Sequence, residues 1–249
     1  MIRVTPLGVN GAFTKYYHNN YVFELGDRKL LVDTGTTLRY SLQEAGFKES
    51  DITDIVITHL HSDHVGGLEE FAQRCKWIHN HKPTLWIRNE LAGGLTQIIS
   101  NGLCTDGLSL EDYFNIEFIK GNFMLGLYEI ETLETTDLHA QNMFSMGLKI
   151  NDIQEGINIV FTSDIAKHEA AQFDGYFDSS TVALFHDVST IKNPVHSYIE
   201  DVVIYYKDKI HASKIYGMHY QDDLNITEFS DIYGIEFVEA GQTLTFINK

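Results

Sequence analysis

The stretch ITHLHSDHVGG, residues 57–67, contains three histidines and one aspartate within six consecutive positions. Its candidate metal ligands are His59, His61, Asp63 and His64. The first two histidines are two residues apart, so they point the same way in an extended segment. The aspartate and the third histidine are adjacent at a predicted turn into a helix, where they can face a second metal. Because imidazole nitrogen and carboxylate oxygen bind zinc and similar metals, the stretch predicts a metal site.

Three further candidate ligands follow other predicted strands: His139 in TTDLHAQN, Asp164 at the end of NIVFTSD and His219 at the end of KIYGMH. Side chains at the carboxyl ends of strands can converge on one rim of a sheet, where α/β active sites form. Isolated histidines are more often surface or hydrogen-bonded structural residues, and we interpret in this way His18, His79, His81, His168 and His211. The five histidines and two carboxylates named as candidate ligands exceed the three or four ligands of one zinc ion. The count therefore favours two metals that share a bridging carboxylate.

The composition limits the binding partners and the cell compartment that we expect for this protein. The chain has 249 residues, of which 35 are acidic and 18 basic, giving a formal net charge of −17. A surface this acidic repels nucleic-acid backbones, so long RNA or DNA is not expected as a partner, although a local metal charge permits small anions. The two cysteines form no CxxC pattern, and neither a signal sequence nor a membrane span is apparent. We therefore expect a soluble protein of a reducing cytoplasm, without membrane partners.

The order of predicted elements favours an α/β fold. Short strands such as NYVFEL, KLLVDTG and DIVITHL in the first half are followed by YEIETLET, MGLKIND and GINIVFTSD in the second. Helical patterns, including LRYSLQEAGF, VGGLEEFAQRC and SYIEDVVIYYKDKI, lie between them. Only three prolines occur and no linker divides the chain. Two strand-rich halves therefore predict two sheets packed face to face and covered by helices, with residues 1–249 forming a single domain.

The motifs resemble those of metallo-β-lactamase-fold hydrolases. THLHSDH, residues 58–64, matches the HxHxDH signature of that fold, and LLVDTG, residues 30–35, resembles its first motif. The resemblance implies a four-layer αββα sandwich of two mixed sheets flanked by helices, with two Zn²⁺ ions that Mn²⁺ can replace. It assigns His59, His61 and His139 to one metal, Asp63, His64 and His219 to the other, Asp164 to the bridge, and Asp33 to a supporting position behind the ligands.

A second pair of residues indicates a branch of this superfamily. HDVS contains Asp187, and nine residues later HSYIED begins with His196 and Ser197. The pair resembles the HEAT and HST motifs of the tRNase Z-like branch, which supply an acid and a histidine beside the metals. By that resemblance Asp63, Asp187 and His196 take part in catalysis, and His196 protonates the leaving ribose oxygen. Aspartate reaches less far than glutamate, and a turn histidine near Pro194 without a catalytic role is the alternative.

The narrower resemblance is to anti-Pycsar phosphodiesterases, viral and bacterial enzymes that degrade cyclic mononucleotide signals. It rests on the compact length, the HD…HS pair and the opening VTPLGVNGAFT. It implies hydrolysis of cCMP, cUMP, cAMP or cGMP to nucleoside monophosphates by a homodimer whose subunits complete each other's pockets. For a viral protein it implies counter-defence in the host cytoplasm. In LSLEDYFNIEF, Tyr113 and Phe114 are candidates for stacking on the base, and core packing is an equal alternative.

Three other functions stay open at the level of sequence. A tRNA 3′-end endonuclease is the main alternative, although NGLCTDGLSLEDYFNIEF, residues 101–118, lacks the basic Gly/Pro-rich arm that grips tRNA. A thioesterase or lactonase would use the same metals without requiring the Asp187–His196 pair. A protein that only sequesters cyclic nucleotides would need no reactive water, and the complete ligand set argues against it.

Overall fold

Two seven-stranded sheets form the centre of the computed structural model, which describes residues 1–211 and 214–248. The strands of the first sheet are β1 (Ile2–Pro6), β2 (Tyr21–Leu25), β3 (Arg28–Val32), β4 (Asp54–Val56), β5 (Thr84–Arg88), β6 (Asn115–Ile119) and β14 (Leu244–Phe246). The strands of the second sheet are β7 (Asn122–Leu125), β8 (Tyr128–Glu134), β9 (Met146–Asp152), β10 (Ile157–Phe161), β11 (Thr181–Asp187), β12 (Ile215–Met218) and β13 (Glu236–Phe237). Each half of the chain therefore builds one sheet, and the last strand returns to the first sheet.

Both sheets are mixed and share one pattern. In the first, the order is β14-β1-β2-β3-β4-β5-β6, with antiparallel pairs up to β3 and parallel pairs from β3 to β6. In the second, β7 to β10 pair antiparallel and β10 to β13 pair parallel. Parallel strands end at the same edge of a sheet, so the segments that follow them meet there.

Helices cover the sheets. They are α1 (Leu38–Glu44), α2 (Ser62–Val65), α3 (Leu68–His79), α4 (Asn89–Leu103), α5 (His168–Ala171), α6 (Ile199–Tyr206) and α7 (Ile226–Tyr233). Short 3₁₀ turns occur at Glu49–Asp51, Leu110–Asp112 and Phe173–Tyr176. Among the helices of the described residues, none is long and apolar enough to cross a membrane.

Strand β2 shows how alternating side chains serve two cores. Tyr21 and Phe23 face the second sheet, where their ring centroids lie 5.1 and 6.0 Å from that of Phe161. Val22, between them, packs into the core beneath α1, α3 and α4, because successive side chains of a strand point to opposite faces. The predicted fold class, two mixed sheets flanked by helices, is confirmed. That residues 1–249 form a single domain stays a prediction.

Replacing Phe161 by alanine should remove a central contact between the sheets. Its side chain is buried and meets Tyr21 and Phe23 edge to face. We expect the free energy of unfolding to fall by about 3–5 kcal/mol, as for other buried phenylalanines. Phe118, which is 51% exposed on β6, provides the control, and its alanine variant should lose less than about 1 kcal/mol. Urea denaturation measures both, and equal losses would contradict this account of the core.

Candidate active site

The seven candidate ligands come together where strands of both sheets end. The stretch from residue 59 to 64 follows β4, His139 follows β8, Asp164 follows β10, and His219 follows β12. Their ligand atoms form two groups, and within each group all atoms lie within 4.8 Å of one another. The first group is His59, His61 and His139, and the second is Asp63, His64, Asp164 and His219. The structure therefore brings together every ligand predicted from the sequence.

The first group is a compact set of three imidazoles. His59 Nε2 and His139 Nε2 each lie 3.2 Å from His61 Nδ1. Burial lowers the pKa of His59 well below its ordinary value and also lowers the pKa of His61. Both rings are therefore neutral near pH 7, and the neutral imidazole is the form that binds a metal.

In the second group, Asp164 occupies the central position. Its Oδ2 atom lies 3.2 Å from His219 Nε2, 3.3 Å from His64 Nε2 and 3.7 Å from His139 Nε2, which belongs to the first group. Although burial alone would raise it, the neighbouring His219 and His64 hold the pKa of Asp164 well below its ordinary value. Asp164 is thus a carboxylate placed between the two groups, as a bridging ligand requires.

Several buried polar atoms of the site have no hydrogen-bond partner within the described part of the chain. They are His64 Nε2, Asp164 Oδ1 and both ring nitrogens of His219. Leaving such an atom unpaired costs about 1–3 kcal/mol, so folded proteins normally supply a partner. Divalent cations would supply a partner to His64 Nε2, to Asp164 and to one ring nitrogen of His219. The residues therefore fit two metals of the zinc or manganese type.

Asp33 supports the ligands from beneath, as the sequence predicts. Asp33 Oδ1 accepts from the Thr58 backbone N–H at 2.7 Å, and Asp33 Oδ2 accepts from the Thr58 hydroxyl at 2.8 Å. His64 Nδ1 lies 2.7 Å from the same Oδ2. This bond fixes the ring so that Nε2 faces the second group, which is the usual orientation of a metal-binding histidine.

Three residues around the site have left-handed backbone conformations. Asp33, Ser163 and His219 have φ angles of 65°, 56° and 59°. Such angles are uncommon for residues other than glycine and are retained where the surrounding structure enforces them, often at functional sites. His219 is a candidate ligand, Ser163 directly precedes the candidate ligand Asp164, and Asp33 holds the candidate ligand His64, so the backbone strain lies where the side chains must be aimed.

Asp187 and His196 form the predicted acid–histidine pair. His196 Nδ1 lies 2.8 Å from Asp187 Oδ2, so aspartate reaches the histidine despite its shorter side chain. Although burial lowers it, the Asp187 carboxylate raises the pKa of His196 to about 9. The His196 ring lies next to both ligand groups, with centroids 4.4 Å from His219 and 5.2 Å from His139. A protonated imidazole therefore stands beside the candidate metal centre.

A cavity of about 690 Å³ opens over these groups. Besides five of the ligands and His196, its lining includes Phe13, Ser189 and Gln221. Phe13 is fully exposed and was not identified from the sequence, where GAFT is only part of a family resemblance. Its loop is fastened near the site, since the Thr14 hydroxyl donates to the Asp222 carboxylate. Phe13 is thus an aromatic ring held at the mouth of the cavity.

The structure does not place Tyr113 and Phe114 in this cavity. Tyr113 is 2% exposed and Phe114 is completely buried, and both pack into the core beneath the first sheet's helices. These large apolar rings follow the turn at Leu110–Asp112, and burying them removes a large apolar area from water. The predicted stacking of these two rings on a base is therefore wrong for this chain, and the alternative, core packing, is what the structure shows.

The fold and the site define a metal-dependent hydrolase of the metallo-β-lactamase fold. The metallo-β-lactamase fold protein YhfI from Bacillus subtilis matches with a TM-score of 0.77 and 16% identity over 98% of both chains. The short form of human tRNase Z matches with a TM-score of 0.71 and 15% identity over 98% of both chains. At such identities the likeness shows the fold alone.

The sequence comparisons show the family. The family model described as anti-Pycsar protein Apyc1 matches residues 2–244. The Apyc1 protein of Paenibacillus sp. (strain J14) is 32% identical over 90% of this chain and 91% of its own length. That of Bacillus phage vB_BveM-Goe7 is 30% identical over 97% of both chains. The chain therefore belongs to the anti-Pycsar protein Apyc1 family, and the predicted resemblance is confirmed.

Proposed function

We propose that the protein is a binuclear metal-dependent phosphodiesterase that hydrolyses cyclic mononucleotides such as cCMP, cUMP, cAMP and cGMP to nucleoside monophosphates. The observation that carries this proposal is the Asp187–His196 pair beside the two ligand groups. A ribose oxygen is a poor leaving group that needs a proton, and His196 is placed to supply one. A thioesterase has a thiolate leaving group with no such need, so the pair favours a phosphodiester substrate.

The ligand residues and the acid have separate roles in this proposal. His59, His61 and His139 would hold one cation, Asp63, His64 and His219 the other, and Asp164 would bridge them. When bound, two divalent cations lower the pKa of a water molecule and neutralise charge on the phosphate. Because Nδ1 of His196 bonds Asp187, Nε2 is the atom that gives a proton to the leaving oxygen. Asp187 orients the ring and favours its protonated form.

The charge and the shape of the site support a small substrate. The cavity of about 690 Å³ is within the range that binds ligands of nucleotide size. Residues 101–118 fold as the end of α4, a 3₁₀ turn and β6, and they include four acidic and no basic residues. Since the whole chain carries a net charge of −17 and this segment is itself acidic, the segment offers no electrostatic attraction to tRNA.

The test is incubation of metal-loaded protein with the four cyclic mononucleotides, a cyclic dinucleotide and a precursor tRNA, each with and without a chelator. We expect conversion of cyclic mononucleotides to nucleoside monophosphates, lost with chelation. Cleavage of precursor tRNA without turnover of any cyclic mononucleotide would support the endonuclease instead and overturn the proposal.

Zinc as the native metal, a homodimer and a counter-defence role in a host cytoplasm complete the proposal. The counter-defence role is supported by the origin of several relatives, since four of these Apyc1 proteins come from Bacillus phages. Elemental analysis of protein purified without added metal would identify the metal. Light scattering that returned only a monomer would remove the homodimer.

Within the proposed function, Phe13 takes the base-stacking role that Tyr113 and Phe114 do not fill. A Cβ at Gly11 would lie 2.7 Å from His219 Cε1, so the backbone of the Phe13 loop rests on a candidate ligand. We expect Phe13→Ala to raise KM about tenfold with little change in kcat, because stacking of one base on an aromatic ring contributes about 1–3 kcal/mol. Steady-state kinetics on cAMP and cCMP measure the effect.

The control is Phe118→Ala, which removes an exposed ring from β6 rather than from the cavity mouth. It should leave KM unchanged. A KM unchanged in Phe13→Ala, or a shift in light-scattering mass that accompanies the loss, would argue that Phe13 contacts something other than the base.

A further inference from the structure

The backbone N–H and carbonyl of Ile165 link the candidate bridging ligand to the acid–histidine pair. Ile165 is buried and directly follows Asp164. Its N–H donates to Asp187 Oδ2 at 2.8 Å, and this oxygen also bonds His196 Nδ1. Its carbonyl accepts from the Ser197 hydroxyl at 2.8 Å, and Ser197 is the residue after His196. The N–H and the carbonyl of one residue, which follows the candidate bridging ligand, therefore both bond to residues that hold the proposed acid.

His168 completes this arrangement. It begins helix α5, is buried, and its Nδ1 lies 3.0 Å from Ser197 Oγ. The serine hydroxyl has one proton and gives it to the Ile165 carbonyl, so toward His168 it must act as acceptor. His168 Nδ1–H is therefore the donor. Burial lowers the pKa of His168, which favours the neutral ring, and the bond to Ser197 places its one proton on Nδ1.

The loop around His196 is thus tied down on each side. Before it, the Val195 carbonyl lies 2.7 Å from Nδ1 of the candidate ligand His139. After it, Ser197 is held by Ile165 and His168. Without the Ser197 hydroxyl, the Ile165 carbonyl and the His168 N–H would both be left without these bonds in a buried setting. Because an unpaired buried polar group costs about 1–3 kcal/mol, we expect the segment around His196 to shift until these groups find other partners.

We propose that His168 and Ser197 are positioning residues that set the place of His196 relative to Asp164 and thereby to the leaving oxygen of the substrate. The inference rests on the proposed function for the acid role of His196. Proton transfer needs the donor within about 2.6–3.2 Å of the acceptor. A misplacement of about 1 Å can lower the rate roughly 100-fold. His168, interpreted from the sequence as an ordinary structural histidine, would therefore act on the rate.

The test compares two phosphodiesters that differ in their need for an acid. A cyclic mononucleotide releases a ribose alkoxide, whereas bis(p-nitrophenyl) phosphate releases a stable phenolate that needs no proton. We expect Ser197→Ala and His168→Phe to lower kcat for the cyclic mononucleotide about 10- to 100-fold. We expect both variants to change KM and the p-nitrophenyl rate by less than about threefold. His168→Asn keeps an N–H donor near the Nδ1 position and should recover most of the rate.

Ser41→Ala is the matched control. Ser41 is as buried as Ser197, and its hydroxyl also donates to a backbone carbonyl, that of Leu38 at 3.2 Å, but within helix α1. It should leave both substrates unaffected. Metal content, measured for every variant, should equal that of the wild type.

A second readout does not depend on activity or on metal. The Ile165 amide, bonded to Asp187, should exchange its hydrogen faster in metal-free Ser197→Ala than in metal-free wild type or Ser41→Ala. Equal losses on the two phosphodiesters, unchanged kcat in Ser197→Ala, or an unchanged exchange rate would overturn the positioning role. Wild type that cleaves the p-nitrophenyl ester but no cyclic mononucleotide would instead overturn the proposed function, and the exchange rates would still decide whether Ser197 holds the Ile165 peptide.

Discussion

Replacing His196 by alanine is expected to lower kcat for a cyclic mononucleotide about 10²- to 10⁴-fold, the usual contribution of a general acid. The imidazole lines the cavity beside the ligand groups, and Asp187 raises its pKa to about 9, so it is protonated at neutral pH. KM should change little, because the proton is needed mainly in the transition state. For bis(p-nitrophenyl) phosphate, whose leaving group needs no proton, the loss should be much smaller.

His79 offers a matched control for this experiment. Its side chain is 22% exposed, as is that of His196, and its Nε2 lies 2.9 Å from the Glu49 carboxylate. It stands at the end of α3 and does not line the cavity. His79→Ala should therefore keep the wild-type kcat. Near-normal turnover of a cyclic mononucleotide by His196→Ala would remove the acid role.

Asp187→Asn separates charge from shape within the same prediction. The amide has the size of the carboxylate but no charge, so the pKa of His196 should move down toward its ordinary value. A group with a raised pKa keeps its proton up to that pKa and loses it above. The alkaline fall in kcat should therefore begin at lower pH in Asp187→Asn than in wild type. If kcat began to fall at the same pH in Asp187→Asn and in wild type, a group other than His196 would control this fall.

The candidate ligands could be predicted because their residue types and their positions after strands are visible in the sequence. The stretch from residue 59 to 64 follows a buried strand, and His139, Asp164 and His219 each lie beyond a strand end. Because strand ends converge on one edge of a sheet, these residues can be predicted to meet without knowledge of the side-chain contacts. The two sheets could be predicted because both halves of the chain are rich in strand patterns. The Asp187–His196 bond is also local, since nine residues separate the pair across one loop.

Features that depend on close approach between distant segments were missed. Helix α4 was not predicted, because two adjacent glycines weaken a helical pattern. In the structure a Cβ at Gly94 would meet Leu60 at 2.5 Å, so glycine lets α4 approach the ligand stretch. The predicted helix VGGLEEFAQRC is likewise divided at residues 66–67 into α2 and α3.

The surroundings of single side chains were missed for a related reason. Exposure of Phe13 and burial of Tyr113 and Phe114 are decided by which surfaces pack together, and an aromatic residue looks the same in either setting. His168 is a hydrogen-bonded structural histidine, as interpreted from the sequence, but its partner could not be predicted, because Ser197 is 29 residues away and its hydroxyl also bonds the Ile165 carbonyl. Sequence patterns show periodicity, whereas the burial and the contacts of these side chains depend on how separate segments of the chain pack together.

Asp164→Asn is expected to have the largest effect of any substitution, lowering kcat by more than about 10³-fold. The carboxylate lies within 3.7 Å of His64, His139 and His219, so it reaches ligands of both groups. An amide keeps the shape but has one oxygen and no charge, and it bridges two cations poorly. The variant should therefore hold fewer than two metals per chain, and chelation of the wild type should reproduce its loss of activity.

Asp54→Asn distinguishes loss of metal from loss of stability. Asp54 is also fully buried, and it binds Arg28 at 2.6 Å at the end of β4 opposite to the ligand stretch. Breaking that pair should lower the thermal midpoint while leaving the metal content unchanged. Added Zn²⁺ should raise the midpoint of metal-free wild type and of Asp54→Asn, but much less that of Asp164→Asn, because a ligand stabilises the folded state only as far as it binds. Two tightly held metals in Asp164→Asn would show that the two histidine-rich groups bind independently, and the bridging role would then fail.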